Sequence, residues 1–130
     1  MSLSPLAPEL QFAAFAEQLR EPNASLISPD RYAAALHLDM AELAAHAHVH
    51  RNTLAARPQS PKVQAHLRES LRVLRAAFDV AAGDQARAVY WYRNHPIGDF
   101  GYKTAEQLVA DGETDAVLGY LESLAGGASG

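Results

Sequence analysis

The chain contains no cysteine. That excludes a disulfide framework and any thiolate metal site, and it suits a reducing cytoplasm without requiring one. Long apolar runs are missing too. None approaches the roughly 18 residues of a membrane span, and the opening MSLSPLAPEL lacks the basic start and apolar core of a secretory leader. No stretch alternates convincingly between apolar and polar residues, so no strand is expected, and no internal repeat is visible. Chemistry-bearing patterns are as scarce. There is no phosphate-cradling glycine loop, no Ser/His/Asp order, no paired-carboxylate pattern and no HExxH. Asp111, Glu113 and Asp115 lack the glycine and closing glutamate of a calcium loop. No catalytic residue, cofactor or metal site is expected.

What remains is a chain of 130 residues, 48% of them hydrophobic, enough for one domain or two small helical lobes sharing a core. Its formal charge of −4 is unevenly spread. Residues 46–75 carry six basic side chains against one acidic, with four histidines besides, while both flanking regions are acidic. A basic middle between acidic ends suggests a local anionic partner, the alternative being an ordinary solvated helix face.

Start and stop signals organise the chain as helices. Pro8 to Arg20 reads as the first, ended by Glu21, Pro22 and Asn23. Ser28, Pro29 and Asp30 open a second: a capping hydroxyl, a proline at the first helical position, then an acid. Asp39 and Glu42 have the spacing of a capping box. Ser60 and Pro61 launch the longest helix, to about Val80, with Val63, Leu67, Leu71, Leu74 and Phe78 as one apolar stripe. That stripe is a seam joining two lobes or pairing two copies. Arg68, Arg72 and Arg75 share another face. Gly83 ends this helix and Asp84 caps the next.

Between Asp39 and Pro58 lies a helix-turn-helix rhythm. Ala44 is small enough for two helices to cross, and Val49 and Leu54 pin the second onto the first. The polar triplet Arg51, Asn52 and Thr53 then faces outward, where a recognition helix meets bases and phosphates. Arginine suits the guanine edge, asparagine the adenine edge, and the threonine hydroxyl a phosphate. Arg57 and Lys62 join them as basic DNA-contact candidates. The turn commonly holds glycine because one position needs a positive φ; His48 stands there. Pro58 limits the recognition helix to about two turns. A unit of this kind kept only as a scaffold is the competing reading. His46 and His50 have a helical metal-pair spacing, but the turn between them breaks it, and surface or DNA-backbone contact is the favoured role.

The last third opens on ARAVYWYRN, with the lone tryptophan, Trp91, and stops at Asn94, His95 and Pro96. The loop IGDFGYK follows. Thr104 and Gln107 then make a capping box for a short helix ending at Gly112. Thr114 is expected to cap a last helix, with Val117, Leu118, Leu121 and Leu124 on one face and Gly126 as its stop. Trp91 is expected inside, against Phe78 or Leu118. Tyr90, Tyr92, Phe100 and Tyr102 exceed what so small a lobe needs internally, so some should be exposed as interface anchors. Tyr92, Arg93, Phe100, Tyr102, Lys103 and Leu121 form the candidate protein-binding set.

The order of Trp91, the Asn94–Pro96 break, Leu108 and Val109, Gly112, and Val117, Leu118 and Leu121 before Gly126 resembles the toxin-binding domain shared by Xre/MbcA/ParS-type antitoxins of bacteria. The upstream rhythm resembles the Xre-type DNA-binding fold. The resemblance implies an all-α protein: an N-terminal helix-turn-helix-like lobe and a small C-terminal toxin-binding lobe joined by a long helix. Residues 1–27 would be a helical extension, 28–80 the helix-turn-helix domain with its connecting helix, 81–127 the toxin-binding domain and 128–130 a disordered tail. It further implies a cytoplasmic antitoxin that sterically neutralises a RES-type toxin, NAD-degrading or ADP-ribosyltransferase-like, and represses its own operator as a homodimer. The alternative is a stand-alone dimeric helix-turn-helix regulator whose C-terminal lobe only dimerises.

Overall fold

A hydroxyl or carboxylate one residue before a helix can satisfy an amide that has no partner inside it, worth about 1 kcal/mol each time. In the computed structural model, which describes residues 7–22 and 24–127, the chain follows these signals closely. The loose start over residues 1–6 and the frayed tail over 128–130 expected from sequence lie outside the described residues. After α1 (Pro8–Gln18), Ser28 Oγ accepts the Arg31 amide and opens α2 (Pro29–Leu36). Asp39 and Glu42 exchange a reciprocal capping box at the start of α3 (Met40–His46). A turn leads to α4 (Arg51–Ala56). Ser60 caps α5 (Pro61–Val80), Asp84 caps α6 (Gln85–Asn94), and Thr104 and Gln107 box the start of α7 (Ala105–Ala110). The chain closes with α8 (Thr114–Gly127).

The architecture is all-α. Among the described residues there is no strand, only a short 3-10 turn at Gly98–Phe100 and two isolated bridges, Arg20 to Ile27 and Ile97 to Lys103. No helix is long and apolar enough to cross a membrane among the described residues.

Helix α5 is the central element, packed against α1, α6, α7 and α8. Its buried surface is wider than a single stripe. Val63, Leu67, Leu74 and Phe78 are buried as expected, but so are His66, Ser70, Val73 and Ala77, while Leu71 is only partly covered. A helix with neighbours on both sides must be apolar or hydrogen-bonded over more than one face. The stripe is therefore used inside one molecule. Phe12 and Phe15 of α1 meet Phe78 with ring centroids 5.3 and 5.2 Å apart. One hydrophobic cluster runs from Phe15 in α1 to Leu121 in α8. Buried Gln64 bonds both polar groups of the Ile27 backbone and the Pro58 carbonyl, which fixes the entries to α2 and α5 against each other.

Three local expectations change at the C-terminal end. Thr114 is the first residue of α8 instead of its cap, and the Glu113 carbonyl accepts the Val117 amide. The helix continues through Gly126, and Leu124 is exposed. Trp91 is only partly buried. It lines a notch with Ala77, Val80, Ala81, Ala88 and Leu121 and stacks on His95 at 6.0 Å.

Candidate functional site

Helices α3 and α4 and the turn between them form the segment expected as a helix-turn-helix. Leu43, Ala44 and Leu54 are buried and Val49 packs beside them, as crossing helices require. His48 adopts φ +58, the left-handed conformation expected there. His50 caps α4, its Nδ1 accepting the Asn52 amide at 3.0 Å. Arg51 and Asn52 are exposed in the first turn of α4, Thr53 is half-buried, and Arg57 is exposed at the C-cap. Lys62 is set apart from them. It lines a cleft of about 300 Å³ with His46, His48, His66, Glu69 and Arg72, to which α7, the turn after it and α8 contribute Ala110, Gly112 and Asp115. None of the other four DNA-contact candidates reaches that cleft.

The cleft holds the first contact that sequence reasoning missed. His48 Nε2 donates to the Ala110 carbonyl at 2.6 Å, tying the turn to the end of α7. Sixty-two residues separate the pair, so no local pattern could have announced it. Nearby, burial lowers the His66 imidazole to about 4, with His46 and His48 adding to the effect. Among the described residues no group of three His, Asp or Glu side chains is placed to hold a metal ion.

Arg93 is the second such contact. Its Nε meets both carboxylate oxygens of Glu106 at 3.3 and 3.1 Å. Nη1 donates to the Leu36 and His37 carbonyls at the end of α2, and Nη2 to Glu42 of α3 at 3.1 Å. A planar fork of donors suits this four-way junction, where a lysine could not. Burial pushes the Glu106 carboxyl up while Arg93 pulls it back. Beneath the junction, Tyr92 donates to Ser70 Oγ at 3.0 Å. Burial pushes the Tyr92 hydroxyl, and that of neighbouring Tyr32, above their ordinary range.

This arrangement divides the candidate protein-binding set. Tyr92 is fully buried and Leu121 is 2% exposed, so neither can touch a partner in this conformation. Both lie on helix faces that α5 covers. Arg93, 18% exposed, spends its donors inside the molecule. Phe100 is half-buried, edge-on to Tyr120 at 6.1 Å. Lys103 pairs with Asp111 at 2.7 Å at the surface. Tyr102 is the aromatic member left facing solvent, 75% exposed.

The loop that carries it is closely bonded. The Ile97 amide donates to the Lys103 carbonyl, and the Ile97 carbonyl accepts the Phe100 and Tyr102 amides at 3.0 and 2.9 Å. Ile97 itself is buried. Gly101 at φ +66 and Tyr102 at φ +65 are consecutive left-handed residues. Glycine takes that conformation freely; for tyrosine it is strained. The second exposed aromatic is Tyr90, at 68%. With Ala35, Leu36, Ala86, Val89 and Asn94 it borders a groove of about 490 Å³ between α2 and α6. Its position beside the buried Val89 and Tyr92 follows from helical periodicity, but the groove needs α2, which sequence did not bring there.

Compared with protein-family models, with curated proteins and with solved structures, the chain matches none.

Proposed function

We propose that this chain works as a shaped protein ligand with no chemistry of its own: an antitoxin that docks on a cognate RES-like toxin, degrading NAD or transferring ADP-ribose, and blocks it. The resemblance of residues 86–127 to antitoxin toxin-binding domains suggests the class. The observation that carries it is Tyr102. A large aromatic is held in a strained left-handed conformation and turned to solvent by a loop whose backbone hydrogen bonds leave it little freedom. Backbone strain of this kind persists where the surroundings enforce it, and it concentrates at binding sites. An exposed, pre-positioned tyrosine supplies contact area at small entropic cost. Tyr90 and its groove would extend the contact.

In this proposal the exposed first turn of α4, with Arg51 and Asn52, binds operator DNA, and Arg57 and Lys62 approach the phosphates of a dimer's site. Contacts of that type make binding steeply salt-dependent. The competing proposal, a stand-alone regulator in the cytoplasm, shares the DNA half and needs no protein partner.

Co-expression with the product of the adjacent reading frame tests the proposal. The expected result is co-purification and relief of that protein's toxicity. Tyr102→Ala should weaken the complex by at least about tenfold, roughly 1.4 kcal/mol, with thermal stability unchanged. A Tyr102→Ala chain that binds as tightly as the parent would remove the loop from the interface. A neighbour that never co-purifies would favour the regulator.

A further inference from the structure

Helix α1 has an unusual outer surface. Its inner face, Phe15 and Leu19, is buried. Its outer face carries Leu10, 56% exposed, with Ala13 and Ala14 also in solvent, flanked by Glu9 and Glu17. Apolar residues thus lie on the outer side of the helix as well as on the inner one, which leaves apolar surface in solvent. Beside it, α1 and α5 form a groove of about 380 Å³. Phe12, Ile27 and Leu71 make its apolar floor, and Arg20, Arg68 and Arg75 stand among its walls. Arg68 and Arg75 have no acidic partner among the described residues, whereas Arg72, also in the wall, is paired with Glu69 and Asp115, and Arg20 lies 3.8 Å from the exposed Glu17 of its own helix end.

We propose that the occupant of this groove is a second copy of the chain, seated through its own α1. The chemistry is reciprocal: an apolar ridge with acidic flanks meets an apolar floor with basic walls. The spacing agrees as well. Glu9 and Glu17 lie about 12 Å apart along α1, and Arg68 and Arg75 about 10 Å apart along α5. A two-fold axis places both acids of each copy against both arginines of the other and buries the two Leu10 side chains. The apolar floor disfavours a nucleic-acid backbone, which needs charge without it. The proposal rests on the packing of α1 and α5 and does not depend on the antitoxin reading. A two-fold operator binder would need such a seam.

Sedimentation equilibrium of the full chain alone, without DNA or toxin, is the test. The expected mass is twice the 14.0 kDa of one chain. Leu10→Arg should weaken association by at least about tenfold. One double variant, Glu9→Lys with Glu17→Lys, and a second, Arg68→Glu with Arg75→Glu, should each be monomeric, with helical circular dichroism intact because all four residues are exposed. An equal mixture of the two should form a heterodimer, since every pairing across the seam is again between opposite charges. A monomeric parent overturns the proposal and leaves the groove to an acidic partner. A dimer that survives Leu10→Arg and both double variants overturns it too, because its seam would lie elsewhere. Neither result bears on whether Tyr102 docks a toxin.

Discussion

His48 in the turn between α3 and α4 and Tyr102 in the loop before α7 are both non-glycine residues at positive φ, +58 and +65. They differ in where the side chain goes. The His48 ring reaches back to the Ala110 carbonyl at 2.6 Å and joins two parts of the molecule. The Tyr102 ring lies beside Gly98 and is otherwise mostly in solvent. A left-handed conformation costs an ordinary residue roughly 1 kcal/mol or more. At His48 a hydrogen bond inside the fold offsets that cost, so the strain has a structural explanation. At Tyr102 the backbone amide is held by the Ile97 carbonyl, but the side chain makes no hydrogen bond among the described residues, and in our proposal a protein partner uses the exposed ring. Backbone outliers are therefore informative only once the side chain's destination is known.

The comparison is most strongly tested at Arg93, whose donors, like the His48 ring, are committed inward. If that commitment is structural, Arg93→Met should destabilise the chain by about 3 kcal/mol, because it strands the buried Glu106 carboxylate, 6% exposed. Urea unfolding measures this. A variant as stable as the parent but weaker in toxin binding would return Arg93 to the binding set.

Acidification probes the same inward side. The His66 imidazole is held at about 4, below its ordinary 6.5. Between these values the unfolded chain takes up a proton that the folded chain refuses. Stability contributed by this group is whole above pH 6.5 and falls as the pH drops towards 4, by on the order of 2 kcal/mol. Glu106, raised above its ordinary value, acts in the opposite sense. The difference between parent and His66→Gln isolates the histidine: the variant's unfolding free energy should decline less over this range. Parallel curves would mean that protons reach His66 freely in the folded state.

The smallest effect sharpens the comparison directly. Glycine relieves left-handed strain at either position but adds unfolded-state entropy. Tyr102→Gly should therefore leave stability within about 0.5 kcal/mol of the parent. His48→Gly also loses a hydrogen bond and should be lower by about 1 kcal/mol. Equal effects in thermal unfolding would erase the distinction between the two residues.

Much of the fold was legible because helix ends are local affairs. Ser28, Asp39, Ser60, Asp84 and Thr104 each sit three residues before the amide they accept, a relation visible in the bare sequence. The left-handed turn at His48 was legible for the same reason. The candidate site was legible in part. Periodicity identified an excess of aromatics but could not say that Tyr92 would turn inward to Ser70 while Tyr90, two residues earlier, faced out. Which side of α6 is covered depends on where α5 and α2 lie, and that is not written within α6. The same limit applies to Leu121, assigned to a surface and found in the core.

By itself the sequence determined the helical class, the helix starts, the basic middle and the positive φ in the turn before α4, because each follows from residues within one or two turns of one another. Only the tertiary structure decided what Arg93 and His48 hold, which tyrosines reach solvent, and that α1 and α5 frame a basic groove. The His48 bond alone joins residues 62 positions apart. Burial and long-range hydrogen bonding exist only once the helices have packed.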